Sequence, residues 1–301
     1  MKMLTSQKNI VTNKILAIII TSILLYGCNN KTIKNIKTDY SFLVISDVHI
    51  SSDENKDVRL AELVEEINEL YFKKFDAIFF TGDNVSSFYK NKNLIESNNN
   101  RVKKLYTILK KSKVPYYLTL GNHDYKIDSN KDSDEPFTKT EIDQIEKLWK
   151  KFTSIEPYYL IKNKGWNFIV LNSMRGKYLS RNFDNEQISF LKESLKNDNP
   201  TILFFHHPIQ TDNFKIWCKP KDLVTEETEQ DFFKVLEEFK HQIKGIFVGH
   251  GHMWQTDTIF DSIKVFETDS FADNENSPYY IVDVDTIKNT IQVSQREFRI
   301  N

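Results

Sequence analysis

From Ser41 onward, short β-branched or aromatic runs alternate with amphipathic segments, and this alternation restricts the chain to a few architectures. "FLVIS" (Phe42–Ser46) is too brief for a helix and carries no polar face, as expected of a strand buried on both sides. Leu60, Leu63, Val64, Ile67, Leu70 and Tyr71 then recur at helical spacing. "DAIFFTGD" supplies a second strand running to Asp83, Arg101–Lys111 a second helix, and "PYYLTLGNHD" a third strand. Three strand–helix units in a row predict a parallel α/β sheet built from βαβ units. Further on, a helix through Ile142, Ile145, Leu148 and Phe152 precedes paired strands in "YYLI" and "WNFIVLN". Asp184–Leu195 reads as a helix with Asp184 at its N-cap, followed by the strand "TILFF", a helix near Glu226–Phe239 and the strand "GIFVG". The tail from Asp257 to Phe298 reads as three short antiparallel strands.

The N-terminus follows another pattern. Lys2, Lys8 and Lys14 precede an apolar run from Ile15 to Leu25, then Tyr26, Gly27 and Cys28. That run is shorter than the about 20 residues of a membrane-spanning helix and fits the h-region of a secretory signal peptide. Leu25-Tyr26-Gly27-Cys28 resembles a bacterial lipobox, so residues 1–27 are expected to be removed and Cys28 lipidated. Residues 28–40 then form a polar tether, residues 41–301 the catalytic domain, and the protein belongs in a bacterial cell envelope, anchored to its membrane. Cys218 remains as an unpaired thiol, so no disulfide framework is expected. Lys plus Arg (41) nearly balance Asp plus Glu (42), and no basic stripe with interleaved aromatics points to nucleic acid.

Six of seven histidines lie just beyond predicted strands; His241 alone falls in a charged helical segment. In chain order the strand ends read "SDVHI" (Asp47, His49), "TGDN" (Asp83), "GNHD" (Asn122, His123), "FFHHP" (His206, His207) and "VGHGH" (His250, His252). Ligands of open α/β sheets bind beyond the carboxyl ends of the strands, so these side chains are expected to converge there. A single histidine at such a place is ordinarily a surface or hydrogen-bonded core residue; five clusters in one chain point to metal. Asp47/His49 and His250/His252 are each separated by one residue, so in extended backbone each pair would face one ion. Asp47, His49, Asp83, Asn122, His206, His250 and His252 make seven donors, more than one catalytic zinc takes. Two ions of Mn, Fe or Zn, with one bridging carboxylate, suit this set, and such a pair clamps a phosphoryl group and supplies a bridging hydroxide.

The ordered set D-x-H, G-D-N, G-N-H-D, H-x-P and G-H-x-H, from Asp47 to His252, resembles the calcineurin-like metallophosphoesterases. The resemblance implies a four-layer α/β/β/α sandwich of two mixed sheets, with a dimetal site at its edge. By position it implies Asp47, His49 and His252 on one ion, Asp83 bridging, and Asn122, His206 and His250 on the other. His207 becomes a neighbour, and His123 assists the leaving group. Asp124 either orients that imidazole or caps the turn. After Gly82-Asp83 the chain continues Asn84-Val85-Ser86, without the Asp-Arg-Gly of protein Ser/Thr phosphatases, and Tyr89 lies too far on for the purple acid phosphatase tyrosine. Asn172 stands where an aspartate is usual, and Arg175 and Lys177 read as solvated loop charges. The implied reaction is hydrolysis of a phosphomonoester or phosphodiester small molecule; the alternative is a non-enzymatic metal-binding surface lipoprotein on the same fold.

Overall fold

A computed structural model describes residues 40–298 except 52–53, 72, 92–99, 129–136, 217 and 219–221. The expected signal peptide, Cys28 and the tether up to residue 39 lie outside the described residues. Tyr40, assigned to the tether, already belongs to the first strand and is buried. No helix among the described residues is long and apolar enough to cross a membrane.

Among the described residues, eleven strands form two mixed sheets. In the first, β1 (Tyr40–Ile45), β2 (Ala77–Phe80) and β3 (Tyr116–Leu118) are parallel, while β10 (Pro278–Asp285) and β11 (Thr290–Glu297) extend it antiparallel beyond β1. The second holds β4 (Tyr159–Asn163), β5 (Trp166–Val170), β6 (Thr201–Phe204), β7 (Ile243–Val248), β8 (Gln255–Ile259) and β9 (Ile263–Glu267) in the order β4-β5-β6-β7-β9-β8. β5, β6, β7 and β9 are parallel neighbours.

The alternation of each strand explains the layers. In β1, Tyr40, Phe42 and Val44 point into a core shared with Phe168, Phe204 and Phe247 of the second sheet. Leu43 and Ile45 point the other way, onto helices α1 (Glu54–Glu66), α2 (Arg101–Leu109) and α3 (Lys139–Thr153). The outer face of the second sheet packs on α4 (Asn185–Leu195) and α5 (Gln230–Glu238) through Leu191, Leu195, Phe232 and Leu236. Helices therefore cover both outer faces, giving the α/β/β/α order. Sequence signals set the helix starts: Asn100 and Asp184 accept from backbone amides of the first turn, and Thr138 forms a capping box with Glu141.

Two expectations fail. The tail holds four strands, not three, and they divide between the sheets, with β9 running parallel to β7. His241 sits in the turn between α5 and β7, outside any helix. Periodicity reports which residues share a face, but it carries no information about which distant strand a segment joins.

Candidate metal centre

The carboxyl ends of β1, β2, β3, β6 and β7 meet at one edge of the sandwich. The loops after β1 and β2 stay hydrogen-bonded beyond the strands, with Asp47 N–H donating to Gly82 O at 3.1 Å and His49 N–H to Asp83 O at 2.9 Å. Across the sheets, His206 Nδ1 lies 2.9 Å from Thr81 O, and within the second sheet Gly249 N–H donates to His206 O at 2.9 Å. Close approach demands glycine at this edge. A Cβ on Gly121 would lie 2.3 Å from Asp83 Oδ1, and one on Gly249 would lie 1.9 Å from Ser46 Oγ.

Asp47, His49, Asp83, His250 and His252 all have positive φ, between 46° and 77°. The expectation that extended backbone aims each i, i+2 pair at one ion is therefore wrong. Each chain segment turns left-handed as it leaves its strand, a conformation costing on the order of 1 kcal/mol per non-glycine residue. For Asp47 and His49 the turn still brings both side chains together. His250 and His252 it separates: His252 joins Asp47 and His49, whereas His250 joins Asp83 and His206.

Within these groups, nitrogen faces nitrogen and oxygen. His252 Nε2 lies 3.4 Å from His49 Nε2 and 3.2 Å from Asp47 Oδ1. His206 Nε2 lies 3.0 Å from Asn122 Oδ1, 3.3 Å from Asp83 Oδ1 and 3.3 Å from His250 Nδ1. Asp83 stands between the groups, its other oxygen 3.9 Å from His49 Nε2. Asp47 Oδ1 is buried with no hydrogen-bond partner of proper geometry. Converging lone pairs and an unsatisfied buried carboxylate oxygen are what a cation, or bound protons, must balance, so this donor set fits metal.

Electrostatics show how strongly the carboxylates act. Burial would raise Asp47, but His252 and His206 outweigh it and hold its carboxyl at about 2. Burial would depress His206 and His252, yet Asp83 lifts the first and Asp47 the second to about 9. His250, desolvated and beside His206, falls to about 3. A metal competes with protons for these same lone pairs.

The remaining predicted residues are placed as follows. His207 is buried outside the cluster, its Nδ1 2.7 Å from Ser173 Oγ. His123 sits at the rim, its ring 4.7 Å from that of His49, with Nδ1 3.1 Å from Ser86 O and its backbone N–H donating to Asp83 Oδ1 at 2.8 Å. Of the two roles open to Asp124, the geometry favours capping the turn. Its carboxylate accepts from the amides of Gly121, Asn84 and Val85 at 2.9, 3.2 and 3.0 Å, clamping the β2 and β3 loops together. Burial and the Asp83 charge push that carboxyl up to about 7.

Arg175 is not a solvated loop charge: it pairs with Glu146 at 2.7 Å and Asp184 at 2.8 Å. Asn172 is buried beside it and donates to Tyr125 Oη at 2.7 Å, while Tyr125 donates to Glu146. The His123 turn is thus fastened to α3, also through Trp149 Nε1–H donating to Asp124 O at 2.9 Å. Sequence reasoning missed Ser86 and Asn84, since a backbone carbonyl and one amide in a loop leave no readable pattern. Cys218 is a buried thiol, raised by burial to about 12.

A profile of the family described as calcineurin-like phosphoesterase matches residues 40–254. Among solved structures, a dimetal phosphatase from Danio rerio superposes with a TM-score of 0.61 at 10% identity, over 86% of this chain and 96% of that one. A 5'-nucleotidase from Candida albicans gives 0.52 at 15% identity, over 87% of this chain and 52% of that one. At these identities the likeness is one of fold. No curated protein matches the sequence.

Proposed function

Because this chain belongs to the calcineurin-like phosphoesterase family, a family that uses metal ions, we propose that it is a dinuclear hydrolase of phosphomonoesters or phosphodiesters. The supporting observation is Asp83, whose two oxygens face two separate donor groups. Asp47, His49 and His252 would hold one ion; Asn122, His206 and His250 the other; Asp83 both. Two such ions, when bound, polarise the phosphoryl group and lower the pKa of water enough to yield a nucleophile at neutral pH.

The protein's own part is orientation and proton transfer. The His206 Nδ1–H···O=C bond to Thr81 fixes the tautomer that turns Nε2 inward. His250 faces the cluster through Nδ1 instead. His123, steadied through Nδ1 by the Ser86 carbonyl, keeps Nε2 for the substrate. As the P–O bond breaks, the doubly protonated ring gives its Nε2 proton to the leaving oxygen and keeps the Nδ1 proton on the Ser86 carbonyl. Asp124 acts through the turn that carries His123, by holding the amides of Gly121, Asn84 and Val85.

Purified protein supplied with Mn²⁺ is expected to release p-nitrophenolate from p-nitrophenyl or bis-p-nitrophenyl phosphate. Inertness with Mn, Fe, Zn and Co alike would overturn the reading. His123→Ala separates catalyst from binding protein, since only a catalyst loses turnover while keeping its metal. The reading includes a lipid on Cys28, supported by the charged, apolar, small order of residues 2–28. Cys28→Ala should then move the protein from the membrane fraction to the soluble one.

A further inference from the structure

Another strand also ends at this edge. β9 runs parallel to β7, and the segment after Glu267 crosses back beneath the centre before entering β10. That crossing is tied to the Asp47 segment: Phe271 N–H donates to Ser46 O at 3.0 Å and Ala272 N–H to Asp47 O at 3.2 Å. The buried Ser270 hydroxyl lies 3.2 Å from Asp47 O and accepts from Asp273 N–H at 3.1 Å. From α1, Arg59 reaches over and donates to Ala272 O at 3.0 Å and Asn274 O at 2.8 Å. The crossing is held at both ends, and Asp273 projects from its middle.

Asp273 Oδ2 lies 3.1 Å from His252 Nδ1. His252 Nε2 faces the other way, toward Asp47 and His49. A ring nitrogen that donates to a carboxylate keeps its own proton, so the opposite nitrogen is the one given up to a cation, and the carboxylate makes it a better donor. The two other clustered histidines with a partner on the far nitrogen differ. His206 uses a backbone carbonyl, and His250 Nε2 stands 4.0 Å from Asp222, too far for a direct hydrogen bond.

We infer that Asp273 is a positioning residue of the metal centre: it accepts the Nδ1–H of His252, selects the tautomer that presents Nε2, and strengthens binding at the Asp47–His49–His252 group. This rests on the metal-centre reading above. Asp273 is half exposed, so water competes for the bond and the effect belongs at the lower end of the usual range for such partners, about tenfold in metal affinity.

The test is calorimetric Mn²⁺ titration of the full chain, with thermal melts of the metal-free proteins as a check on folding. Asp273→Ala is expected to weaken one of two Mn²⁺ equivalents about tenfold, leaving the other and the metal-free melt unchanged. Asp273→Asn should recover most of that loss, because the amide oxygen still accepts Nδ1–H. An Asp273→Ala titration identical to wild type overturns this role while leaving the centre intact. An Asp273→Asn variant as weak as Asp273→Ala also overturns it, since charge alone would then be acting. Wild-type protein that takes up no metal overturns the centre and this role together. Co²⁺ absorption gives a second readout: the wild-type d–d bands should change in Asp273→Ala and return in Asp273→Asn.

Discussion

The interior between the sheets and the edge it carries are built on opposite terms. Between the sheets, Phe79 of the first lies flat on Phe204 of the second, ring centroids 4.1 Å apart and 3° from parallel, with Phe42 edge-on to Phe168. These side chains are fully buried and lie in strands of ordinary backbone. A few residues further along the same strands, left-handed backbone, buried carboxylates and facing imidazoles accumulate. The edge is unfavourable on its own, and it persists because the interior fixes the strand ends from which it grows. Stability and chemistry are therefore separable along a single strand, which mutation can test.

The largest effect is expected from Phe204→Ala, which opens a cavity under the site and should cost about 3–5 kcal/mol in urea unfolding. An equal loss from a strand-end substitution would erase the distinction. Asp83→Asn should act mainly on catalysis. It should lower kcat/KM about a thousandfold, about 4 kcal/mol of transition-state stabilisation. Burial opposes the Asp83 charge, but His206 and His123 outweigh it and hold that carboxyl well below its usual range. The metal-free melt should therefore fall too, by less than in Phe204→Ala. A fall as large as that of Phe204→Ala would place Asp83 with the stabilising interior instead. His123→Ala should reduce kcat about a hundredfold with metal stoichiometry unchanged, measured by elemental analysis beside steady-state kinetics.

The smallest effect concerns Glu229, which accepts from the amides of Asn182 and Phe183 and is raised by burial to about 7. Because its folded pKa exceeds the ordinary 4.5, the folded state keeps a proton that the unfolded state releases. Its contribution to stability is thus fully present below about 4.5 and falls as pH rises toward 7. Glu229→Gln should flatten that slope, gaining a few degrees in Tm at pH 8 over wild type. Parallel pH–Tm curves for the two proteins would refute the assignment.

Much of this edge could be read from the chain because its chemistry sits at local landmarks. A polar residue directly after a buried apolar run is conspicuous, and Asp47, Asp83, Asn122, His206 and His250 each announce a strand end. What escaped reading depends on return paths. Position alone gives Asp124 two roles, orienting the imidazole or capping the turn, and only amides from a loop some 40 residues earlier favour the second. Arg175 looked solvated until α3 and α4 supplied Glu146 and Asp184. Asp273 was invisible because the segment after β9 read as part of an antiparallel tail.

By itself the sequence determined the alternation of strands and helices, the buried faces, the helix caps and the donor types waiting at the strand ends. All of these follow from interactions within a few residues, or from burial, which periodicity records. Only tertiary structure decided which donors meet. Left-handed turns sent His250 and His252 to different groups, although one residue separates them. The choice of Asp273 as partner to His252 required β9 to join the second sheet beside β7, a pairing between segments that no local pattern specifies.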